Sequence, residues 1–504
     1  RWYNLLVVFR ALQHSRNTTL QSVMYLLFDV GGSKMRFAIS KDGKTVGDPK
    51  IVPTPQERQF MTRLSQRLKG ELEEILAARA IEADVSIQGS VARDTWLHEE
   101  HDLDIFARFP EKVDRGEWTE KFLPAVRKGF KRYRKVERYA EHPYLELWVD
   151  HDVRVNIVPC YAVDKGRWKS ATDRSPYHTE YMQTHLAPEL RDEARMLKKF
   201  MKGIRVYGAE IRIGGFSGML VETLTLKFRS FVETLKQASQ WKGFVFIDIE
   251  NGSPRKFESG FVVVDPVDPD RNLAAAVRPD KMWSFVAAAR EFLMRPRFAF
   301  FYPPNPKPRT KNEFVRKLKG PRHDIVVVRF PHPRLVLDVL WGQLFSLERV
   351  LVRLDERSGF GVIRWEVWSS EDSLSAIMME VDSAVLSPVQ FHAGPPVSRA
   401  GESDAFLARH LGARTTVRGP WLSQGRWVVE KRREVSTIEE LLKRSLRDPK
   451  FGLTIPKQME KSFRRGARVL VNEEAMSLLS EPGFGDALWE FLDGRPLWLR
   501  SLRS

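Results

Sequence analysis

A short turn between two predicted strands most constrains how this chain of 504 residues can fold. The apolar run at residues 85–87 indicates a strand, and Gly89 permits a tight turn after it. Ser90 is positioned to cap a helix over residues 91–96, because its hydroxyl can accept a hydrogen bond from the first helical turn. Backbone N–H groups at such a helix start attract phosphate groups. The segment therefore predicts a turn that binds the phosphates of a nucleotide.

Two carboxylates follow this turn on a second predicted strand. Asp102 and Asp104 alternate with the apolar residues Leu103 and Ile105, which is the period of a strand with one buried face. Both carboxylates then point to the same side, roughly 7 Å apart along the strand. Carboxylates so placed can hold Mg²⁺, which binds a substrate's phosphates and lowers the cost of charge build-up during transfer. The sequence predicts a magnesium-dependent nucleotidyl-transfer site with Asp102 and Asp104 as the catalytic residues.

The overall charge favours a large polyanionic partner. The formal net charge is +17 at pH 7, which favours nucleic acid over a surface that is merely well solvated. The single cysteine, Cys160, excludes an intrachain disulfide and a cysteine-rich zinc site, and it fits a reducing, cytoplasmic location. The longest apolar runs, such as residues 5–9 and 25–28, are too short to cross a bilayer, so no membrane partner is expected.

Changes in composition and periodicity divide the chain into four predicted domains. Residues 1–55 differ from the rest and are interpreted as an atypical N-terminal extension that is vestigial, fused or mis-assembled. Residues 56–183 contain the turn and the acidic strand and form the predicted catalytic domain. Residues 184–305 form a predicted central domain, and residues 306–504 follow a proline-rich linker and alternate strands with helices. The expected fold class is α+β multidomain.

Hydrophobic periodicity also predicts individual elements inside these domains. Predicted helices cover residues 57–80, 117–133 and 188–235, the last with a break at 214–218. Predicted strands cover residues 145–149, 153–158, 261–264, 325–330 and 362–368. Cys160 is expected to be a small buried residue of a strand.

The segment of residues 25–55 resembles the start of a sugar kinase of the ROK family. A predicted hairpin of two strands surrounds a glycine-rich turn at residues 29–34, as in the first phosphate loop of those kinases. The remaining strands, the catalytic Asp and the zinc motif of that family do not follow. A lone glycine-rich loop is weak evidence, so kinase activity is not favoured.

Eight motifs in a fixed order point to a different family. They are GSVARDTWL (89–97), DLDIF (102–106), YAEHPY (139–144), VNIVPCY (155–161), SATDRSPYH (170–178), MLKKFMKGIRVYGAE (196–210), GGFSG (214–218) and VDPVDPDRN (264–272). Together they resemble the archaeal-type, class I CCA-adding tRNA nucleotidyltransferases, from about residue 56 to the C-terminus. The resemblance implies a polymerase-β-like nucleotidyltransferase domain, a largely helical central domain and an α+β tail that binds tRNA. It also implies template-independent addition of CMP, CMP and AMP from CTP and ATP to the tRNA 3′ end.

The resemblance assigns nucleotide-binding roles, for ATP and CTP alike, to six positions. They are Gly89, Ser90, Arg93, His178, Lys198 and Tyr207. Hydroxyl, guanidinium, imidazole and ammonium groups all donate hydrogen bonds that suit phosphates. The resemblance also matches Arg271 to an arginine that discriminates between bases, through edges that cytosine and adenine share. Taken singly, each side chain is more often a surface charge or a packing residue, so the assignment depends on the ordered set of motifs.

Two positions depart from the family pattern. The family has Glu where this chain has Asp102, which is one methylene shorter but keeps the charge. The third metal carboxylate of the family falls on Asn156, whose amide oxygen can bind a cation but carries no charge and cannot readily accept a proton. Asp152 lies roughly 13 Å away along a regular strand and is too distant to replace it. The predicted metal ligands are therefore Asp102, Asp104 and the amide of Asn156.

Three functions remain open on the sequence alone. The leading hypothesis is a CCA-adding enzyme with reduced but real transfer, which grips the acceptor stem and T arm of tRNA by A-form shape and forms a homodimer through its tail. The second is an RNA-binding pseudoenzyme, because of Asn156. The third is another polymerase-β-like transferase, such as a poly(A) polymerase or an oligoadenylate synthase, which would not be expected to carry GGFSG and VDPVDPDRN in this order.

Overall fold

The computed structural model of the protein describes ten stretches of the chain. They are residues 25–31, 34–40, 51–98, 100–139, 142–150, 153–253, 256–303, 309–319, 323–447 and 453–500. The chain divides into two compact units, one of Arg1–Pro304 with Pro496–Ser504 and the other of Asn305–Arg495. The predicted division into four domains stays a prediction.

A hairpin of two strands lies near the start of the first unit. Strands β1 (Tyr25–Gly31) and β2 (Lys34–Ser40) pair antiparallel, which confirms the predicted hairpin. The middle of the predicted glycine-rich turn, residues 32–33, lies outside the described stretches. The resemblance of this segment to a kinase stays a prediction.

A five-stranded mixed sheet forms the centre of the next part of the first unit. Its strands are β3 (Asp84–Gln88), β4 (Asp102–Pro110), β5 (Arg134–Tyr139), β6 (Pro143–Val149) and β7 (Val153–Ala162). The order is β3-β4-β7-β6-β5, with β4 and β7 parallel and the other neighbours antiparallel. The predicted strands at 145–149 and 153–158 are confirmed within β6 and β7. Strand β5 is not predicted by the sequence analysis, because four of its six residues are charged.

Four helices accompany this sheet. They are α1 (Pro55–Ala77), α2 (Gly89–Arg93), α3 (Arg115–Glu117) and α4 (Leu123–Gly129), with a π-helical turn at Trp118–Phe122 between the last two. Helix α1 begins where Thr54 and Glu57 form a capping box around a proline at the first helical position. Its residues Leu64, Leu68 and Leu72 are buried, as the predicted helical period requires. The predicted helix at 117–133 is confirmed in part, since it is broken by the π turn and ends at Gly129.

Helices α1 and α4 cover one face of the sheet, and the two acids of β4 lie on the other face. Leu103, Ile105 and Ala107 of β4 are fully buried in a core that they share with residues of α1 and α4. Because side chains of a strand alternate between the two faces, Asp102 and Asp104 lie on the opposite face. The predicted period of this strand is therefore confirmed. Cys160 is buried on β7, as predicted, and burial raises the pKa of its thiol to about 12.

Helix α2 differs from the prediction at both ends. Gln88 occupies the N-cap position and Ser90 lies inside the helix, so the predicted cap at Ser90 is wrong. The predicted end near residue 96 is also wrong. The helix stops at Arg93 because Asp94 takes a left-handed conformation with a φ of 53°.

The central part of the first unit is largely helical, as predicted. Its helices are α5 (Arg174–His185), α6 (Pro188–Gly203), α7 (Gly218–Phe228), α8 (Phe231–Ser239) and α9 (Pro279–Met294). A sheet of three strands lies among them, with the order β10 (Asp268–Asn272), β9 (Phe261–Asp265), β8 (Val245–Ile247). The helices are interrupted at residues 204–217, so the predicted break at 214–218 is confirmed in part. The predicted strand at 261–264 is confirmed within β9. Phe200 is buried in the core of this part and contacts the buried Phe285 and Phe292 edge to face.

The second unit combines two antiparallel sheets with helices. Its helices are α10 (Lys311–Lys319), α11 (Leu337–Ser358), α12 (Ala400–His410), α13 (Ile438–Ser445), α14 (Lys457–Gly466) and α15 (Phe484–Asp493). One sheet has the order β12 (Val362–Ser369), β13 (Leu374–Val381), β11 (Asp324–Pro331), β17 (Arg468–Val471). The other has the order β14 (Val389–Pro396), β16 (Arg426–Arg432), β15 (Thr416–Ser423). The predicted strands at 325–330 and 362–368 and the α+β class are confirmed.

The last described helix returns to the first unit. Helix α16 (Leu497–Arg500) carries Trp498, which stacks on Phe300 with ring centroids 5.4 Å apart. Across all the stretches described above, no helix combines the length and the apolar character that a membrane span requires.

Asp355 on α11 gives the second unit a pH-dependent stability. Its side chain is 3% exposed, and burial, followed by the charge of Glu356, raises its pKa to about 7. A carboxylate whose pKa is raised on folding destabilises the fold as pH rises from the unfolded value toward 7. Above pH 7, the difference between the folded and unfolded pKa values of Asp355 lowers the free energy of unfolding by roughly 4 kcal/mol. Asp355→Asn should therefore raise the melting temperature of the second unit at pH 8 but change it little at pH 4.

Differential scanning calorimetry at the two pH values measures this effect. The exposed neighbour offers a matched control, since Glu356→Gln removes only the smaller, coulombic cause and should give a smaller change in the same direction. An equal shift at both pH values for Asp355→Asn would contradict the role of the buried charge.

Candidate nucleotide and metal site

Gly89 brings the turn after β3 against the side chain of Asp104. Gln88 and Asp104 are partners in the antiparallel pairing of β3 and β4, so Gly89 follows directly beside the carboxylate. The φ of Gly89 is +73°, and a Cβ at this position would lie 2.1 Å from Oδ2 of Asp104. Glycine meets both conditions, the left-handed backbone and the close approach. The turn predicted to bind phosphates therefore borders the predicted metal ligand.

Asp104 and Asn156 face each other across the parallel strands β4 and β7. Nδ2 of Asn156 donates a hydrogen bond of 2.9 Å to Oδ1 of Asp104. Burial raises the pKa of Asp104, the charge of Asp102 adds to the rise, and the bond from Asn156 opposes it. Arg93 and Lys198 also act to lower this pKa, but the net shift is upward. A further positive charge beside Asp104 would therefore stabilise its ionised form.

Asp102 is paired with an arginine that the sequence analysis did not single out. Arg154 is the register partner of Asp102 on β7 and donates from Nε to Oδ1 at 2.8 Å and from Nη2 to Oδ2 at 2.7 Å. Both side chains are partly exposed, Asp102 at 38% and Arg154 at 54%. A partly exposed pair of this kind is weakly held, so the carboxylate of Asp102 can exchange its partner. The sequence signal for this pairing is the spacing of Arg154 two residues before Asn156, which places both side chains on the same face of one strand.

The oxygen donors at this site suit a hard divalent cation. Asp102 and Asp104 contribute carboxylates from one strand, and Asn156 lies opposite with a buried Oδ1 that has no hydrogen-bond partner in the described part of the chain. A buried amide oxygen without a partner is costly, and a cation would satisfy it. In the same described residues, no group of three or more His, Cys, Asp and Glu side chains can hold a metal, so the site consists of two acids and one amide.

Ser90 and Arg93 lie on α2, directly after the turn. Nε of Arg93 lies 2.6 Å from Oε2 of Glu222, and this ion pair is nearly buried, with side-chain exposures of 10% and 3%. Glu222 belongs to α7, and it also accepts a hydrogen bond from Thr95. A predicted phosphate-binding guanidinium is therefore fixed by a carboxylate from the central part of the unit. No local sequence signal identifies Glu222, because it lies inside a buried helix.

Lys198 and Tyr207, two of the predicted nucleotide-binding residues, lie close together. Nζ of Lys198 is 5.2 Å from the centre of the Tyr207 ring. It also forms an ion pair of 2.7 Å with Glu100, whose other oxygen pairs with Lys202. The two lysines and the aromatic ring make a positively charged cluster, in which Lys198 is buried, next to the loop that leads into β4. Glu100 partly neutralises that cluster.

His178 and Arg271 meet at a single buried carboxylate. Nε2 of His178 lies 2.9 and 2.8 Å from the two carboxylate oxygens of Asp265. Nη1 of Arg271 donates to Oδ2 of the same carboxylate at 2.7 Å. The structure thus brings two predicted site residues together through Asp265. The VDPVDPDRN motif contains Asp265 at its second position, and this was the available sequence signal.

The parallel pairing of the acidic strand β4 with β7 and the glycine turn define the class of the protein. It has a polymerase-β-like nucleotidyltransferase fold, and a family model described as nucleotidyltransferase domain matches residues 67–178. This class normally works with a divalent metal. Two further models match later parts of the chain. One, described as tRNA nucleotidyltransferase, second domain, matches residues 192–302, and the other, described as CCA-adding enzyme, C-terminal domain, matches residues 323–472.

Curated relatives identify the family within this class. A CCA-adding enzyme of Methanosarcina acetivorans is 36% identical over 451 residues, which cover 89% of this chain and 97% of the relative. A CCA-adding enzyme of Pyrobaculum neutrophilum is 37% identical over 397 residues, which cover 79% of this chain and 91% of the relative. This chain belongs to the CCA-adding enzyme family of nucleotidyltransferases, as the motifs predict.

Solved structures give a more distant likeness. A structure of CdnC from E. coli MS115-1 with ATP covers 50% of this chain and 91% of its own, with a TM-score of 0.40 and 16% identity. A structure of a cytoplasmic RNA terminal U-transferase covers 51% of this chain and 96% of its own, with a TM-score of 0.39 and 11% identity.

Gly89→Ala tests the contact between the turn and the acid. The added Cβ would collide with Asp104 and strain a left-handed backbone, so we expect nucleotide incorporation to fall by roughly 100-fold or more. The matched control is Gly70→Ala in α1, where a Cβ would meet nothing within 4 Å. Rates are measured by radiolabelled CMP incorporation into tRNA. Equal rates for Gly89→Ala and Gly70→Ala would show that the close approach has no functional role.

Proposed function

We propose that this protein adds the 3′-terminal CCA to tRNA by template-independent, Mg²⁺-dependent transfer of CMP, CMP and AMP from CTP and ATP, with release of pyrophosphate. Repair of incomplete CCA ends belongs to the same activity. Membership of the CCA-adding enzyme family supports the reaction. The observation that carries the proposal is the group formed by Asp102, Asp104 and Asn156 beside the Gly89 turn.

Asp102, Asp104 and Asn156 are the residues that would hold Mg²⁺. When bound, the ion would supply positive charge that offsets the charge of the triphosphate. Asp104 is suited to this role because burial raises its pKa, and a bound cation would oppose that rise. Asp102 would release its partly exposed partner Arg154 and bind the ion instead. The amide of Asn156 contributes an oxygen but no charge.

The triphosphate is positioned by the residues around the turn. Gly89 and Ser90 offer backbone and hydroxyl donors, and Arg93 offers a guanidinium held in place by Glu222. Lys198 and Tyr207 face the triphosphate together, and Lys198 exchanges Glu100 for phosphate oxygens. Arg271 reads the base. His178 contributes through its contact with Asp265.

The transfer itself forms one bond and breaks one. The 3′-hydroxyl oxygen of the tRNA end bonds to the α-phosphorus of the nucleotide, and the bond from that phosphorus to the bridging oxygen of the β-phosphate breaks. Pyrophosphate leaves with the negative charge. The hydroxyl proton goes to a carboxylate at the site or to water, because the amide of Asn156 cannot accept it.

The tRNA is bound by basic surfaces of the central part and the tail. The formal net charge of +17 supports electrostatic attraction to the acceptor stem and the T arm. A-form RNA hides its major-groove edges, so the backbone and the shape of the stem are what the protein reads. A cytoplasmic location and a homodimer formed through the tail complete the proposal.

An RNA-binding pseudoenzyme is the second candidate, and two observations favour it. Asn156 replaces a carboxylate of the family, and Arg154 occupies both oxygens of Asp102. A template-free extension assay separates the candidates, with tRNA that ends before its CCA and each nucleotide supplied singly. Incorporation from CTP alone supports the CCA-adding enzyme. Incorporation from ATP alone on the same tRNA identifies a poly(A)-type transferase, and tight binding without any Mg²⁺-dependent incorporation identifies the pseudoenzyme.

Asn156→Asp tests whether the amide limits the reaction. A carboxylate at this position adds charge beside Asp104 and can accept a proton, so CMP incorporation should rise at least about tenfold at saturating CTP. The exposed Asn251→Asp is the matched control for the same chemical change away from the site, and it should leave the rate unaltered. A rate for Asn156→Asp that stays at the native level would mean that the amide does not limit transfer.

A further inference from the structure

Asp265 is a buried acid that contacts two of the predicted site residues, His178 and Arg271. It ends strand β9 and its side chain is fully buried. Three groups surround its carboxylate, namely the His178 ring, the Arg271 guanidinium and the backbone N–H of Val267, which donates to Oδ1 at 3.0 Å. Burial alone would raise the pKa of Asp265, but these hydrogen bonds hold it below its ordinary value. The carboxylate is therefore ionised and can orient its partners.

The contact with Asp265 restricts one side of the Arg271 guanidinium. Nη1 of Arg271 is bound to Oδ2 of Asp265. The Arg271 side chain is 41% exposed, whereas the Asp265 side chain is 0% exposed. A long exposed side chain thus has its charged end anchored to a rigid, buried point. A guanidinium that is anchored through one nitrogen can present its other donors in a fixed plane.

His178 fixes the position of the Asp265 carboxylate. It belongs to α5, and α5 also contacts Arg93 through Thr179 at 3.5 Å. The Nε2 atom of His178 lies within hydrogen-bond distance of both oxygens of Asp265, so the carboxylate cannot rotate freely. The position of Arg271 is in this way tied to the helix that borders the predicted phosphate-binding residues.

We propose that Asp265 is a positioning residue for nucleotide selection, which holds Arg271 in the orientation that admits cytosine and adenine and rejects uracil and guanine. The inference rests on the proposed function, because it deepens the role given there to Arg271. Asp265 acts through Arg271 and does not touch the nucleotide. The simpler alternative is that Asp265 only stabilises the turn between β9 and β10, through the N–H of Val267.

Nucleotide discrimination separates these two roles. For Asp265→Asn we expect the ratio of kcat/KM for CTP to that for UTP to fall at least tenfold, because the released guanidinium no longer selects a base. Arg271→Gln should lower the same ratio by a similar factor. The double variant should show no further fall of the ratio, since the two substitutions remove the same function. A purely structural role would lower kcat/KM for CTP and UTP by equal factors and leave the ratio unchanged, which would overturn the proposal.

Asp268→Asn is the matched control in the same hairpin. Asp268 begins β10 and binds Nε of Arg174 at 2.6 Å, so it is also a largely buried acid paired with an arginine. It does not contact Arg271 in the described structure, and its substitution should leave the CTP to UTP ratio at the native value. A fall of the ratio in Asp268→Asn equal to that in Asp265→Asn would assign the effect to the hairpin and overturn the proposal.

Asp265→Glu keeps the proposal testable where Asp265→Asn does not fold. The longer side chain keeps the charge opposite His178 but moves the carboxylate by one methylene, so the ratio should fall at least threefold. An unchanged ratio in a folded Asp265→Glu protein would overturn the proposal. Failure of the proposed function is a separate result, because the native protein would then incorporate no CMP in the same assay.

Discussion

The parallel pairing of β4 with β7 is the interaction on which the site depends. It places Asp104 opposite Asn156 and Asp102 opposite Arg154, so that acidic and polar side chains of two distant segments share one face. The helices α1 and α4 bury the alternate side chains of β4 on the other face of the sheet. A slip of one residue in this register would bury the acids. The hydrophobic packing on one face therefore decides the chemistry on the other.

The charges at the site come in pairs, and two of the three pairs join residues that lie far apart in the sequence. Arg93 is held by Glu222, Lys198 by Glu100 and Arg271 by Asp265. Such pairs restrict long, flexible side chains before a substrate arrives, which lowers the entropy lost on binding. The pairs of Arg93 with Glu222 and of Lys198 with Glu100 also connect segments beside the sheet to the central helices. We infer that the central part shapes the nucleotide site as well as contributing to tRNA binding.

The sequence predicted those features that depend on local pattern. The alternation of Leu103 and Ile105 placed the acids on one face, and Gly89 marked the left-handed turn. The cap at Ser90 was wrong because the helix begins one residue earlier, at Gly89, with Gln88 as its N-cap. The predicted end near residue 96 was wrong because the pattern could not reveal the left-handed Asp94 that shortens the helix. Strand β5 was missed because charged residues dominate an edge strand. The roles of Arg154 and Glu222 depend on strand register and on a contact between distant segments, which no local window contains. Asp265 and Arg271 belong to one motif, but the contact of Asp265 with His178 joins residues 87 positions apart.

The central claim is that two neighbouring acids, an amide and a glycine turn together bind a metal-loaded nucleotide. Crystals grown with Mn²⁺ and a non-hydrolysable CTP analogue test it most directly, through the anomalous scattering of the metal. We predict an anomalous peak within about 2.5 Å of carboxylate oxygens of both Asp102 and Asp104, with the triphosphate against the turn at Gly89. Metal and nucleotide bound elsewhere, with Asp102 still paired to Arg154, would contradict the account.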